Sequence, residues 1–126
     1  MKAANSSQYV FIFNIDNNFV HVINPKNSEP PDLQPLSFGR NLKNEGDFAQ
    51  VSCIVSEGYE PLVLSWTFHG QDISSDLGIT TMSMGTRGSA LIIQSVGHRH
   101  RGNYSCQAKN SAGTKFKTIE LKVNGN

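Results

Sequence analysis

Two cysteines, Cys53 and Cys106, bracket the single tryptophan of this chain, Trp66. The second cysteine closes the run Gly102-Asn103-Tyr104-Ser105-Cys106, which puts a tyrosine two residues before it. Residues two apart on a strand share a face, so Tyr104 and Cys106 point the same way if this run is extended. A pair of cysteines has two readings: free thiols in a reducing cytosol, or one bridge made in an oxidising compartment. The segments around them favour the bridge.

Those segments read as half-buried strands. After the turn Asn44-Glu45-Gly46-Asp47, the residues Ala49, Val51, Cys53 and Val55 alternate with Gln50, Ser52 and Ile54. A period of two is the signature of a strand with one face in the core. Pro61 opens a second strand with Leu62, Leu64 and Trp66 on its inner face, and His69-Gly70-Gln71 turns the chain. A strand is predicted over Ile79 to Met84, followed by the tight turn Gly85-Thr86-Arg87-Gly88. Leu91 and Ile93 then face inward, with Val96 leading to the next corner. Tyr104, Cys106 and Ala108 face in from the following strand, and Asn110-Ser111-Ala112-Gly113 makes a hairpin turn in which Gly113 is free to adopt a left-handed conformation. The last strand ends on Ile119, Leu121 and Val123. Pro30, Pro31 and Pro35 lead into all of this as an extended edge, where a missing backbone donor costs least. No segment shows a helical period, so the fold class is all-β.

A Cys…Trp…Tyr-x-Cys order on such strands resembles the immunoglobulin-like fold, a two-sheet antiparallel sandwich. That resemblance implies a disulfide between Cys53 and Cys106, with Trp66 packed against it. It also implies a tyrosine corner in which the Tyr104 hydroxyl bonds back to the backbone just upstream. With Leu91 these residues form the core signature. Closing a loop of about fifty residues stabilises a small domain by roughly 4 kcal/mol on the chain-entropy account. The stretch between Trp66 and Leu91 is too short for the two extra strands of variable-type domains. An I-set or constant-like sandwich of seven or eight strands is expected.

With 126 residues there is room for one ordinary domain, and 11 basic against 10 acidic residues leave a net charge of +1. That balance gives no electrostatic case for nucleic acid or for an anionic membrane surface. No apolar run approaches the length of a membrane span. Residues 1–29 differ in composition from residues 30–124, which are read as the immunoglobulin-like domain. The early segment has no glycine, and Tyr9-Val10-Phe11-Ile12-Phe13 is too short an apolar core for a secretory signal. Sixteen of its 29 residues are Phe, Tyr, Met, Ile, Asn or Lys, the set encoded by AT-rich codons. It therefore reads as a disordered extension or a gene-model artefact, against the alternative of an extra strand or hairpin built from its β-formers between Tyr9 and Ile23.

A closer resemblance lies in longer runs. Pro35-Leu36-Ser37-Phe38-Gly39, Val51-Ser52-Cys53, Ser65-Trp66-Thr67 and Ser89-Ala90-Leu91-Ile92-Ile93 are similar to domains of the Dscam (Down syndrome cell adhesion molecule) family of arthropod type. So are His100-Arg101-Gly102-Asn103-Tyr104-Ser105-Cys106 and Ala108-Lys109-Asn110-Ser111-Ala112-Gly113. The likeness runs from about Pro30 to Val123. The chain departs from the common pattern at His100, where most I-set domains have an Asp that pairs with an Arg. Arg87 is accordingly expected to be left without a partner.

Catalytic and metal chemistry find no support. His98-Arg99-His100 supplies two imidazoles without a third ligand at suitable spacing, and is read as solvated polar residues at a corner. No serine lies in a nucleophile elbow and no phosphate-binding glycine loop occurs. Neither an enzyme nor a cofactor is expected.

The Dscam resemblance implies an extracellular recognition module of a cell-surface adhesion receptor that binds protein, itself included. The alternatives are a structural I-set spacer of a giant muscle protein and a domain that binds a different protein. For self-binding, the expected surface is the outer face of the sheet lettered A-B-E-D in immunoglobulin domains. Its candidate residues are Gln50, Ser52 and Ile54, then Met82 and Met84, then Ile92 and Gln94. Asn103 begins the sequon Asn103-Tyr104-Ser105 and faces outward on the opposite sheet, where a glycan would obstruct close approach. A second sequon begins at Asn5.

Overall fold

A computed structural model describes residues 29–125 and, before them, the backbone of two strands, β1 (Val10–Asn14) and β2 (Phe19–Ile23). These two pair antiparallel as a separate two-stranded sheet, from Val10 opposite Ile23 to Asn14 opposite Phe19. The remaining residues of the early segment, the Asn5 sequon among them, lie outside the described residues.

The domain itself is a two-sheet sandwich. Its strands are β3 (Asp32–Leu33), β4 (Leu42–Lys43), β5 (Ala49–Glu57), β6 (Val63–Phe68), β7 (Gln71–Asp72), β8 (Ile79–Ser83), β9 (Gly88–Ile93), β10 (Gly102–Asn110) and β11 (Gly113–Val123). One sheet has the order β4-β11-β10-β6-β7 and the other β3-β5-β9-β8. The count of nine exceeds the expected seven or eight for two reasons. The leading segment divides into β3, antiparallel to β5, and β4, parallel to β11 on the other sheet. In addition, the His69-Gly70 turn adds the two-residue β7 to the edge of β6. Among the described residues the only helices are single 3-10 turns at Ser75–Leu77 and His98–His100.

Alternation places the core. Ala49, Val51, Cys53 and Val55 are all buried from β5, as are Tyr104, Cys106 and Ala108 from β10 and Ile119, Leu121 and Val123 from β11. Leu91 and Ile93 are inaccessible on β9. Cys53 and Cys106 are bonded, with Cα atoms 6.3 Å apart, and tie the middle strands of the two sheets together. Trp66 stands opposite Cys106 and Ser89 opposite Cys53, so both flank the bridge. Tyr104 is stacked on Phe68 at 4.5 Å and meets the edge of Phe38 at 5.9 Å. Its hydroxyl donates to the His100 carbonyl at 2.5 Å, the geometry of a tyrosine corner. Burial pushes this hydroxyl well above the ordinary tyrosine range.

Four local expectations are corrected. The strand predicted over Ile79 to Met84 stops at Ser83, because Met84 already closes the turn through its N–H to the Gly88 carbonyl. Gly113 has no left-handed backbone; the hairpin is organised by Asn110 instead. The Asn110 amide oxygen accepts from the N–H groups of Ala112 and Gly113, and its NH₂ donates to the carbonyls of Glu29 and Tyr59. His100 is not solvated: it is 1% exposed. Its Nδ1 accepts from Gly97 N–H, which leaves Nε2 to donate to the Leu77 carbonyl at 2.6 Å. Arg87, finally, is not without partners. It sits at the β8–β9 turn and donates to the carbonyls of Val55 and Gly58, with Glu60 3.7 Å away.

Candidate recognition surface

Each sheet offers solvent one outer face, and the strand register says which side chains share it. On the four-stranded sheet Gln50 lies opposite Ile92, Ser52 opposite Ala90 and Ile54 opposite Gly88. Across β9, Ile92 lies opposite Thr80 and Ala90 opposite Met82. Since Val51, Cys53, Leu91 and Ile93 point into the core, their neighbours Gln50, Ser52, Ile54 and Ile92 point out. Thr80, Met82 and Met84 continue this surface by the same alternation. Of the seven residues named from the sequence, register thus places Gln50, Ser52, Ile54, Met82 and Ile92 on one face; Met84 packs beside Gly88 at its end, and Gln94 lies just past β9.

Their exposure is uneven. Met82 and Met84 are 53% and 43% exposed, whereas Ile54 and Ile92 are half-buried. For Ile54 the cause is Gly88, where the absence of a side chain lets neighbours close over the backbone. A β-carbon there would lie 3.0 Å from Ile54 Cδ1 and 3.2 Å from Met84 Cβ. The apolar area offered to a partner therefore comes more from the two methionines than from the isoleucines. Sequence reading missed Thr80, although the alternation that identified Met82 reaches it as well. No residue of this face from Gln50, Ser52, Ile54, Thr80, Met82, Met84, Ile92 and Gln94 carries a charge.

The five-stranded sheet presents a different surface. Ser65, Gln107 and Phe116 form one cross-strand row and Val63, Lys109 and Thr114 the next. Phe116 and Val63 are each 64% exposed, apolar positions that the sequence reading did not single out. Their signal was the same alternation, since Val63 and Phe116 fall out of phase with Trp66 and Ile119. Asn103 is exposed on β10 opposite Glu120 on β11, so the sequon shares this outer face with charged residues, Lys109, Glu120, Lys122 and Asp72 among them.

The paired histidines make no metal centre here. Both ring nitrogens of His100 are taken by backbone groups, while His98 lies 3.1 Å from Glu45 and 3.0 Å from Arg101. Among the described residues no group of three His, Cys, Asp or Glu side chains is placed to hold a metal ion.

Comparison with known proteins supplies the family. The family described as Immunoglobulin I-set domain matches residues 39–123. "Cell adhesion molecule Dscam1" of Drosophila melanogaster is 38% identical over 96 residues, 75% of this chain and 5% of its own length. "Cell adhesion molecule DSCAML1" of Homo sapiens is 37% identical over 94 residues, 75% of this chain and 4% of its own length. The chain thus spans about a twentieth of the curated relatives it matches. In three dimensions it superposes on the Ig7 domain of Dscam1, isoform 5, with a TM-score of 0.73 and 41% identity. That superposition covers 77% of this chain and 99% of the Ig7 domain. The chain belongs to the immunoglobulin I-set family and is similar, within it, to the Ig domains of the Dscam cell adhesion molecules.

Proposed function

We propose that this domain is an extracellular recognition module of a cell-adhesion receptor and binds a second copy of itself through the outer face of the sheet β3-β5-β9-β8. The observation that carries the reading is the chemistry of its β5-β9-β8 part: Met82, Met84, Ile54 and Ile92 stand among the uncharged Gln50, Ser52, Thr80 and Gln94. Two copies docking through that patch set none of its side chains against a like charge and use the same patch twice, as a two-fold interface requires. The opposite outer face carries Lys109, Glu120 and the Asn103 sequon, and a glycan there keeps that side apart. The Cys53–Cys106 bridge fits an oxidising, extracellular setting, and the Dscam relatives are themselves adhesion molecules by name.

Each fully buried aliphatic side chain contributes about 1.5–3 kcal/mol before the costs of association. The test is aggregation of beads coated with the protein, comparing the parent with Met82→Asp, Ile54→Asp and Ile92→Asp, with Tm measured for each. Loss of aggregation in variants that still melt like the parent supports the face. Undiminished aggregation in all three moves the interface elsewhere. A second reading, binding of a different protein, is favoured by Phe116 and Val63, and Phe116→Asp in the same assay against candidate receptors tests it.

A further inference from the structure

A sandwich of two open sheets has four edge strands, and each edge presents unpaired N–H and C=O groups that invite another strand. Three of the four are blunted here. β7 is two residues long and carries Asp72; β4 is two residues long and carries Lys43. β3 is two residues long, carries Asp32, is irregular in its pairing with β5, and is flanked by Pro30, Pro31 and Pro35. The fourth edge, β8, has none of these protections. It runs for five residues, Ile79-Thr80-Thr81-Met82-Ser83, without proline, glycine or charge. No charge occurs anywhere from Leu77 to Thr86. Thr80, Thr81, Met82 and Ser83 are all exposed.

The hydrogen-bond phase of β8 shows which groups are free. Met84 N–H donates to the Gly88 carbonyl, and antiparallel pairs alternate between bonded and non-bonded. Met82 opposite Ala90 and Thr80 opposite Ile92 are therefore the bonded pairs with β9. The N–H and C=O of Ile79, Thr81 and Ser83 point away from the sheet. That set is symmetric about Thr81. A second β8, turned about a two-fold axis at Thr81, sets Thr81 against its own equivalent and Ile79 against Ser83 of the second copy. Every one of those pairs is of the bonded type.

We infer that β8 is a self-complementary edge and that two copies of this chain join along it, antiparallel, into one continuous eight-stranded sheet. The self-pair is favoured over pairing with another of this chain's edges by charge and length, since β3, β4 and β7 each bring a charged residue and only two positions. The join places Met82 beside Thr80 of the second copy, and extends the row Ser52–Ala90–Met82 into Thr80–Ile92–Gln50 of that copy. Because the axis stands perpendicular to the sheet, both outer faces look the same way. The inference does not depend on whether that face is the recognition surface.

Sedimentation of the full chain over a range of concentrations tests it. The parent is expected to show a reversible monomer–dimer equilibrium. Thr81→Pro removes a donor that points away from β9 and spares the β8–β9 bonds, and should weaken dimerisation by about tenfold or more. Thr81→Lys keeps the backbone donor but sets like charges face to face, and its weakening should lessen with added salt. It stands in for the proline variant should that one melt early. Gln107→Asp, exposed on β10 of the other sheet, should leave the dimer unchanged. Three results overturn the inference: a parent that stays monomeric at every concentration, which leaves the edge to an extended segment of a different partner; equal association in the parent and both Thr81 variants; or a dimer lost in Ile54→Asp but kept in the Thr81 variants, which marks it as a face-to-face pair.

Discussion

Trp66 Nε1 donates a hydrogen bond of 2.9 Å to Ser89 Oγ, and this bond crosses between the two sheets beside the disulfide. Trp66 is paired with Cys106 on β10, and Ser89 with Cys53 on β5. The covalent bridge and the polar bridge are thus neighbours on the same four strands. Ser89→Ala would leave the indole N–H buried without an acceptor, which costs about 1–3 kcal/mol. For a domain of this size that is a fall in Tm of about 4–8 °C per kcal/mol. In a Trp66→Phe background the same change should cost much less, and a double-mutant cycle followed by thermal melting measures the difference.

Removing the disulfide should be more severe. Cys53 and Cys106 are both inaccessible and join the central strands of the two sheets. Replacing both by Ala should cost about 2–5 kcal/mol, the usual range for a small secreted domain. Urea unfolding of the two proteins reads this directly, and a midpoint unchanged from the parent would contradict it.

Tyr104 gives the domain an alkaline limit. Its hydroxyl is held above the ordinary range by burial, so the native state keeps its proton where the unfolded chain gives it up. The stabilisation is complete below the unfolded tyrosine pKa of about 10 and is lost as pH rises beyond it. Melting measured from pH 8 to 11 should fall more steeply for the parent than for Tyr104→Phe. At pH 7 the Phe variant should itself be less stable by about 0.5–1.5 kcal/mol, through loss of the bond to the His100 carbonyl.

His100 links the 3-10 turn at His98–His100 to the start of β8 through the Leu77 carbonyl. His100→Ala would take the partner from that carbonyl and from the Gly97 N–H at a partly buried site, costing about 0.5–1.5 kcal/mol for each bond lost. Amide exchange at Gly97 should rise in this variant, while exchange at Val51 on β5 stays slow.

A chain beginning at Glu29 should fold. Among the described residues every core residue lies after Pro30, and the Glu29 carbonyl that accepts from Asn110 is retained. Cooperative melting within a few degrees of the full chain is expected. Loss of cooperativity would show that the β1–β2 pair completes the domain.

Much of this fold is legible along the chain because burial in a sheet repeats every two residues. Val51, Cys53 and Val55 needed only their own neighbours to be assigned inward, and Gln50, Ser52 and Ile54 outward. The same phase reached Leu91, Tyr104 and Leu121, and it set the membership of the candidate face. It failed at Pro61, where the strand begins only at Val63. It also did not say how exposed Ile54 is, since that depends on Ile54 of β5 and Met84 of the β8–β9 turn closing over Gly88.

By itself, then, the sequence determined the sandwich, the two cysteines that bridge it, and the inward and outward sets on each strand. These follow from alternation and from a few residue types at short spacing. Tertiary structure alone decided where Arg87 finds carbonyls, why His100 is buried, how Asn110 anchors Glu29 and which edge strand stays bare. Those contacts join positions 23 to 81 residues apart. Their proximity is set by sheet register and loop path, and no local period in the chain encodes either.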